Sequence, residues 1–221
     1  MKTDKIELVN YTKGEEALNV ITHLAGLVLP VLIIINCIPL CKGNIFPLIC
    51  AVLYAVGTAM TFTASAIYHV LPHGNAKRVM RVIDHTAIFF AVAGTVTGCV
   101  PAVFTKGSPV AAVLMLVLCW GSVIAGTILT VFFFGKFKNI RMAIYILSSA
   151  LCALIGSGTF RNLPSGAIVC IVSGGVVLLV GCVLYKLGKK IRYVHSVFHV
   201  FIVWGLGIYY YGIINYVFKL L

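Results

Sequence analysis

Apolar residues fill this chain in long blocks, and short polar stretches punctuate them. The blocks cover approximately residues 17–40, 45–71, 83–104, 109–134, 140–158, 166–187 and 193–218. Each approaches or exceeds the ~20 residues a helix needs to cross a hydrocarbon core about 30 Å thick. None shows the strict alternation of a barrel strand, so all seven read as helices. The third block is rich in Gly, Ala and Thr, which let helix backbones approach closely in lipid. The expectation is an all-α membrane protein, a single seven-transmembrane helix bundle over residues 1–221. Residues 1–16 read as a mixed-charge cytoplasmic tail or interfacial helix, and residues 72–81 as a basic loop.

Composition sharpens this reading. The chain is 61% hydrophobic and only 10% charged, with mean hydropathy +1.09, against about a quarter charged in soluble domains. A net charge of +12 raises the question of nucleic acid. Its basic residues, however, stand in short clusters between apolar blocks, as topology signals beside anionic lipid do. No nucleic-acid partner is expected; membrane lipid is. The eight cysteines form no C-x-x-C pair and fall in or beside apolar runs, so they read as small hydrophobes. No cleavable signal is expected, because polar residues precede a first block long enough to span.

The basic clusters also set an orientation. Lys2, Lys5, Lys13, Lys77, Arg78, Arg81, Lys136, Lys138, Arg141, Lys186, Lys189, Lys190 and Arg192 fall on one side. Only Lys42, Lys106, Arg161 and Lys219 fall on the other. The positive-inside rule then puts the N-terminus in the cytoplasm and the C-terminus outside, the reverse of a G-protein-coupled receptor. The run Tyr209 to Tyr211 reads as an outer aromatic belt, and Tyr68 and His73 as interfacial.

Ionisable residues within the blocks gather at the inner ends. His195 and His199, four apart, lie one helical turn above each other at the start of the last block. Ser65 and His69 share a face where the second block ends, and Asp84 falls in the first turn of the third. Glu16, Asn19 and His23 share a face at the start of the first. Three imidazoles, His69, His195 and His199, suit one Zn²⁺ with a fourth position open to water, a catalytic rather than a structural pattern. Asp84 is placed as general base on that water, and Ser65 as donor to a developing oxyanion. Glu16, Asn19 and His23 are read as supports behind the ligands, with a helix-packing network as the alternative. His85 points about 100° away from Asp84 and is expected to face another partner.

These motifs resemble the haemolysin III branch of the progestin and adipoQ receptor family, whose wider superfamily includes alkaline ceramidases. The resemblance rests on Glu16, Asn19 and His23, then Ser65, His69 and Asp84, then His195 and His199, and it covers essentially the whole chain. It implies that His69, His195 and His199 bind zinc and that Asp84 contacts the zinc-held water. It also implies a bacterial plasma-membrane protein. Three functional readings follow. The first is a zinc-dependent hydrolase of lipid amide, ceramide-like bonds. The second is a non-catalytic sensor of membrane state or energetics with structural zinc. The third, a pore-forming haemolysin, fits poorly, since a toxin secreted in soluble form would not be so apolar. Transport lacks the expected signature of a midplane acid or a broken helix pair.

Overall fold

A computed structural model describes residues 6–221. The helices are α1 (Lys13–Gly26), α2 (Val28–Cys37), α3 (Ile45–Val70), α4 (Asn75–Lys106), α5 (Pro109–Phe132), α6 (Lys138–Phe160), α7 (Ser165–Leu187) and α8 (Val194–Tyr216). Short 3₁₀ turns follow α2 and α8, at Pro39–Cys41 and Phe218–Leu220. With α1 and α2 taken as one span, seven helices are long and apolar enough to cross a membrane. The chain is an all-α, multi-pass membrane protein.

The first span is interrupted at Leu27. Pro30 has no N–H to give the Gly26 carbonyl, so one rung of the ladder is missing. Leu27 N instead lies 3.2 Å from both His23 O and Leu24 O, which tightens the turn. Only α1, before this break, carries the polar face.

The N-terminal segment departs from the expected tail. Residues 6–12 are not helical, and α1 begins at Lys13, so Glu16 belongs to the helix. Thr12 and Glu15 form a capping box: the Thr12 hydroxyl accepts from Glu15 N at 3.2 Å, and Thr12 N donates to the Glu15 carboxylate at 2.8 Å. Ile6 is buried against Val82 and Phe134, and its carbonyl accepts from Arg78 Nε at 3.2 Å. Lys2 and Lys5 lie outside the described residues.

The expected basic loop is shorter than the sequence pattern indicates. Helix α4 starts at Asn75, two turns before the third apolar block, so Lys77, Arg78 and Arg81 are helical. Asp84 therefore sits in its third turn rather than its first. Hydropathy cannot find such a start, because its first turns are polar.

Helices α3 and α4 form the centre and pack closely. A methyl group at Gly57 would collide with the Phe90 carbonyl, and one at Gly94 would come within 3.0 Å of Leu53 O. Small residues thus bring two backbones into contact, as lipid-embedded packing requires. Helix α1 packs on α3 and α8, α5 packs on α4 and α6, and α7 packs on α8. Consecutive helices α6 and α7 touch little. The outer surface is apolar, with Ile35, Val117, Leu154, Val169 and Trp204 all exposed. All eight cysteines are free. Tyr211 is exposed as a belt residue would be, but Tyr210 accepts from Asn36 Nδ2 at 2.9 Å and anchors α2.

Candidate metal centre

The ends of α1, α3, α4 and α8 meet at one end of the bundle, where chain direction alternates. Three of them contribute inward-facing residues: Glu16, Asn19 and His23 from α1, Ser65 and His69 from α3, His195 and His199 from α8. Helix α1 wedges between α3 and α8, so His69 meets the α8 pair across it.

His69, His195 and His199 are all buried, and one ring nitrogen from each lies within 4.8 Å of the other two. The Nε2 atoms of His195 and His199 are 3.0 Å apart. His69 Nδ1 lies 2.6 Å from Glu16 Oε2 and 3.2 Å from Asn19 Nδ2. Nδ1 cannot serve both as a donor to the carboxylate and as an acceptor from the amide. The shorter, charge-assisted contact to Glu16 decides the tautomer. Nδ1 then carries the proton, which leaves the lone pair on Nε2. That Nε2 is buried with no hydrogen-bond partner. A buried orphan acceptor is costly unless something occupies it. A cation held by three neutral imidazoles fits this donor set, and the carboxylate behind His69 has the arrangement that orients metal-ligating histidines.

Glu16 is itself fixed. Its Oε1 accepts from Lys77 Nζ at 2.7 Å, and Nζ also donates to Leu71 O at 2.8 Å. Lys77 is 1% exposed although it stands in what reads as a loop. Asn19 accepts from Ser196 Oγ at 2.6 Å through Oδ1, tying α1 to α8. His23 makes no hydrogen bond; its ring packs 4.1 Å from that of His199 and 5.7 Å from Phe62.

Asp84 is partly buried on α4 beside Ser65 and within electrostatic range of His69 and Arg81. It lies outside the three-histidine group itself. His85 turns away and meets Phe134 edge-on at 5.1 Å. His73 is exposed in the α3–α4 connection.

Several contributors escape a reading of the sequence. Tyr11 stacks on His195 with centroids 4.9 Å apart and planes 20° apart, and lies 5.7 Å from His69, so it roofs the cluster. Burial and the neighbouring Tyr68 hydroxyl push its own hydroxyl pKa up. Glu15 Oε1 accepts from Tyr193 N at 2.8 Å and fastens the start of α8 to that of α1. Tyr68, expected at the interface, is buried with its ring 4.7 Å from His69. The T-x-x-E pattern at Thr12 was a legible signal for the helix start; Tyr11 and Lys77 had none, because their partners are distant in the chain.

A bundle of seven membrane-spanning helices that gathers three buried histidines able to hold a metal ion defines a class: integral membrane proteins with a candidate metal centre inside the bundle. Within it, this chain belongs to the haemolysin-III related family, whose model matches residues 11–210. It is 25% identical to Hemolysin-3 of Bacillus cereus, over 97% of each chain. Against the Hemolysin-3 homolog of Bacillus subtilis (strain 168) it is 24% identical, over 95% of this chain and 97% of the relative. A human relative, the monocyte to macrophage differentiation factor, is 22% identical over 93% of this chain and 85% of its own.

Proposed function

We propose that His69, His195 and His199 hold a zinc ion near the cytoplasmic face and that the protein hydrolyses amide bonds of ceramide-like lipids. The observation that carries this reading is the cluster of three buried histidines, one of which, His69, has a buried Nε2 with no hydrogen-bond partner. Neutral imidazoles select borderline metals such as zinc over calcium or magnesium. Bound there, zinc would supply Lewis acidity and lower the pKa of water towards ~7.

The chain's own residues divide the remaining work. Asp84 takes a proton from the attacking water as its oxygen bonds to the amide carbon. Ser65 donates a hydrogen bond to the developing oxyanion. As the C–N bond breaks, Asp84 returns that proton to the amine, leaving a fatty acid and a free amine. Glu16 holds His69, and Lys77 holds Glu16. The excess of basic residues on one side supports a cytoplasmic placement of the centre. The two Bacillus relatives support a bacterial plasma membrane.

A second reading, a sensor or regulator of membrane state in which zinc pins α3 to α8, draws support from the site's closure. His69 and His199 are each 2% exposed, and Tyr11 lies across His195.

The deciding experiment measures zinc content and fatty-acid release from a ceramide panel in purified wild type and Asp84→Ala. Release by wild type that Asp84→Ala loses while keeping its zinc supports hydrolysis. Zinc retained without turnover in either protein moves the assignment to the sensor.

A further inference from the structure

Cations gather a short distance from the histidines, where α4, the α5–α6 connection and the end of α7 meet. Phe134 is buried there, with the Arg141 guanidinium 4.9 Å and that of Arg81 5.6 Å from its ring centroid. The His85 ring stands against Phe134 at 5.1 Å and against Tyr185 at 6.2 Å. Tyr185 in turn carries Lys189, whose Nζ is 4.8 Å from its centroid. Three cations from α4, α6 and the α7–α8 connection thus lie against two aromatic rings that the His85 ring links.

No carboxylate is ion-paired with them among the described residues. The carboxylate ion pairs there are those of Glu16 with His69 and Lys77. Asp84, three residues from Arg81, lies beside Ser65 and feels the Arg81 charge without a direct ion pair, so one carboxylate faces three cations. Arg141 donates through Nη1 alone, to the carbonyls of Leu129, Phe133 and Phe134 at 3.4, 3.4 and 2.9 Å. Its remaining nitrogens, those of Arg81 and the Lys189 ammonium make no hydrogen bond within the described chain. The Lys189 pKa is pushed down, first by partial desolvation of its otherwise exposed side chain and then by Lys138, Arg81 and Lys186. Folding has therefore assembled like charges that repel one another, and ring faces offset this only in part. A planar guanidinium fork beside an ammonium matches the oxygens of a phosphate. Helices α6 and α7 touch little, with Tyr145 OH 3.9 Å from Cys182 Sγ across a lipid-facing seam beside the cations.

We propose that Arg81, Arg141 and Lys189, set around Phe134 and Tyr185, form a binding site for a phosphate anion, supplied by the headgroup of an anionic phospholipid. The acyl chains lie along the α6–α7 seam. The site stands apart from the metal centre and from the hydrolase reading, and its occupancy is read without turnover.

The test uses the full chain purified in detergent, incubated with equal amounts of phosphatidylglycerol and phosphatidylcholine, and native mass spectrometry of bound lipid. Wild type is expected to retain phosphatidylglycerol several-fold over phosphatidylcholine. The double variant Arg81→Gln with Lys189→Gln is expected to lose that preference. The pair Lys136→Gln with Lys190→Gln removes the same charge from exposed positions and is expected to keep it. Lipid retained in bulk proportion by wild type, or equal loss in both pairs, overturns the proposal. If the double variant does not fold, exposed Lys189→Gln alone is read against Lys190→Gln by the same criterion. A parallel thermal-melt series adds inorganic phosphate alone. Stabilisation there that vanishes in the Arg81 and Lys189 variants keeps the anion site but assigns it to soluble phosphate.

Discussion

Glu16 and His69, on different helices and 53 residues apart, are joined by a 2.6 Å contact between Oε2 and Nδ1. Lys77 fixes the other carboxylate oxygen, so α1, α3 and α4 converge on a single imidazole. Carboxylates that orient ligating histidines are worth roughly 10–100-fold in metal affinity. Glu16→Gln keeps a hydrogen-bond acceptor but loses the charge, and is expected to weaken metal binding by about that factor. Competition titration with a chelator of known affinity checks this; unchanged affinity would show that Glu16 serves packing alone.

Lys77→Met should destabilise the fold. Removing one member of a buried ion pair typically costs about 3–5 kcal/mol. The Glu16 side chain is 19% exposed, so some water reaches the orphaned carboxylate and the expected loss is roughly 2–3 kcal/mol. A lowered thermal midpoint is the readout. Lys77→Arg is expected to fall between, since its guanidinium must fit a cavity shaped for an ammonium.

His195→Ala should lose the metal and stability together, because a site formed only in the folded state couples the two. His85→Ala and His73→Ala should keep stoichiometric metal. Elemental analysis of the three purified variants separates them; full metal in His195→Ala would sink the three-histidine assignment.

Tyr11→Ala uncovers His195 without removing a ligand. Metal exchange with a chelator should become faster by several-fold, while equilibrium affinity shifts less. If exchange kinetics stay unchanged, Tyr11 is not the roof that controls access.

Gly57→Val tests the α3–α4 contact at which a methyl group already collides with backbone. Overpacking of this kind costs about 1–3 kcal/mol, and here the helix that carries His69 must move. The expected result is a lower melting temperature with weakened metal binding, measured on the same preparation.

Much of this arrangement was legible in the chain alone. Hydropathy located the seven spans, because apolar side chains in lipid need no partner to justify their position. The i, i+4 spacing of His195 and His199 put both rings on one face, and alternating chain direction brought the ends of the spans carrying His69 and Glu16 to the same end. These are local or one-dimensional facts. The start of α4 was not legible from hydropathy, since its first two turns are polar and only burial against Glu16 makes Lys77 part of the core. Tyr68 reads as interfacial until Lys77 of α4 comes over its ring. The tautomer of His69, the roof of Tyr11 over His195 and the cations around Phe134 were decided by tertiary structure. Each depends on groups far apart in sequence meeting at a few ångströms, and side-chain electrostatics at that range is set by packing rather than by residue order.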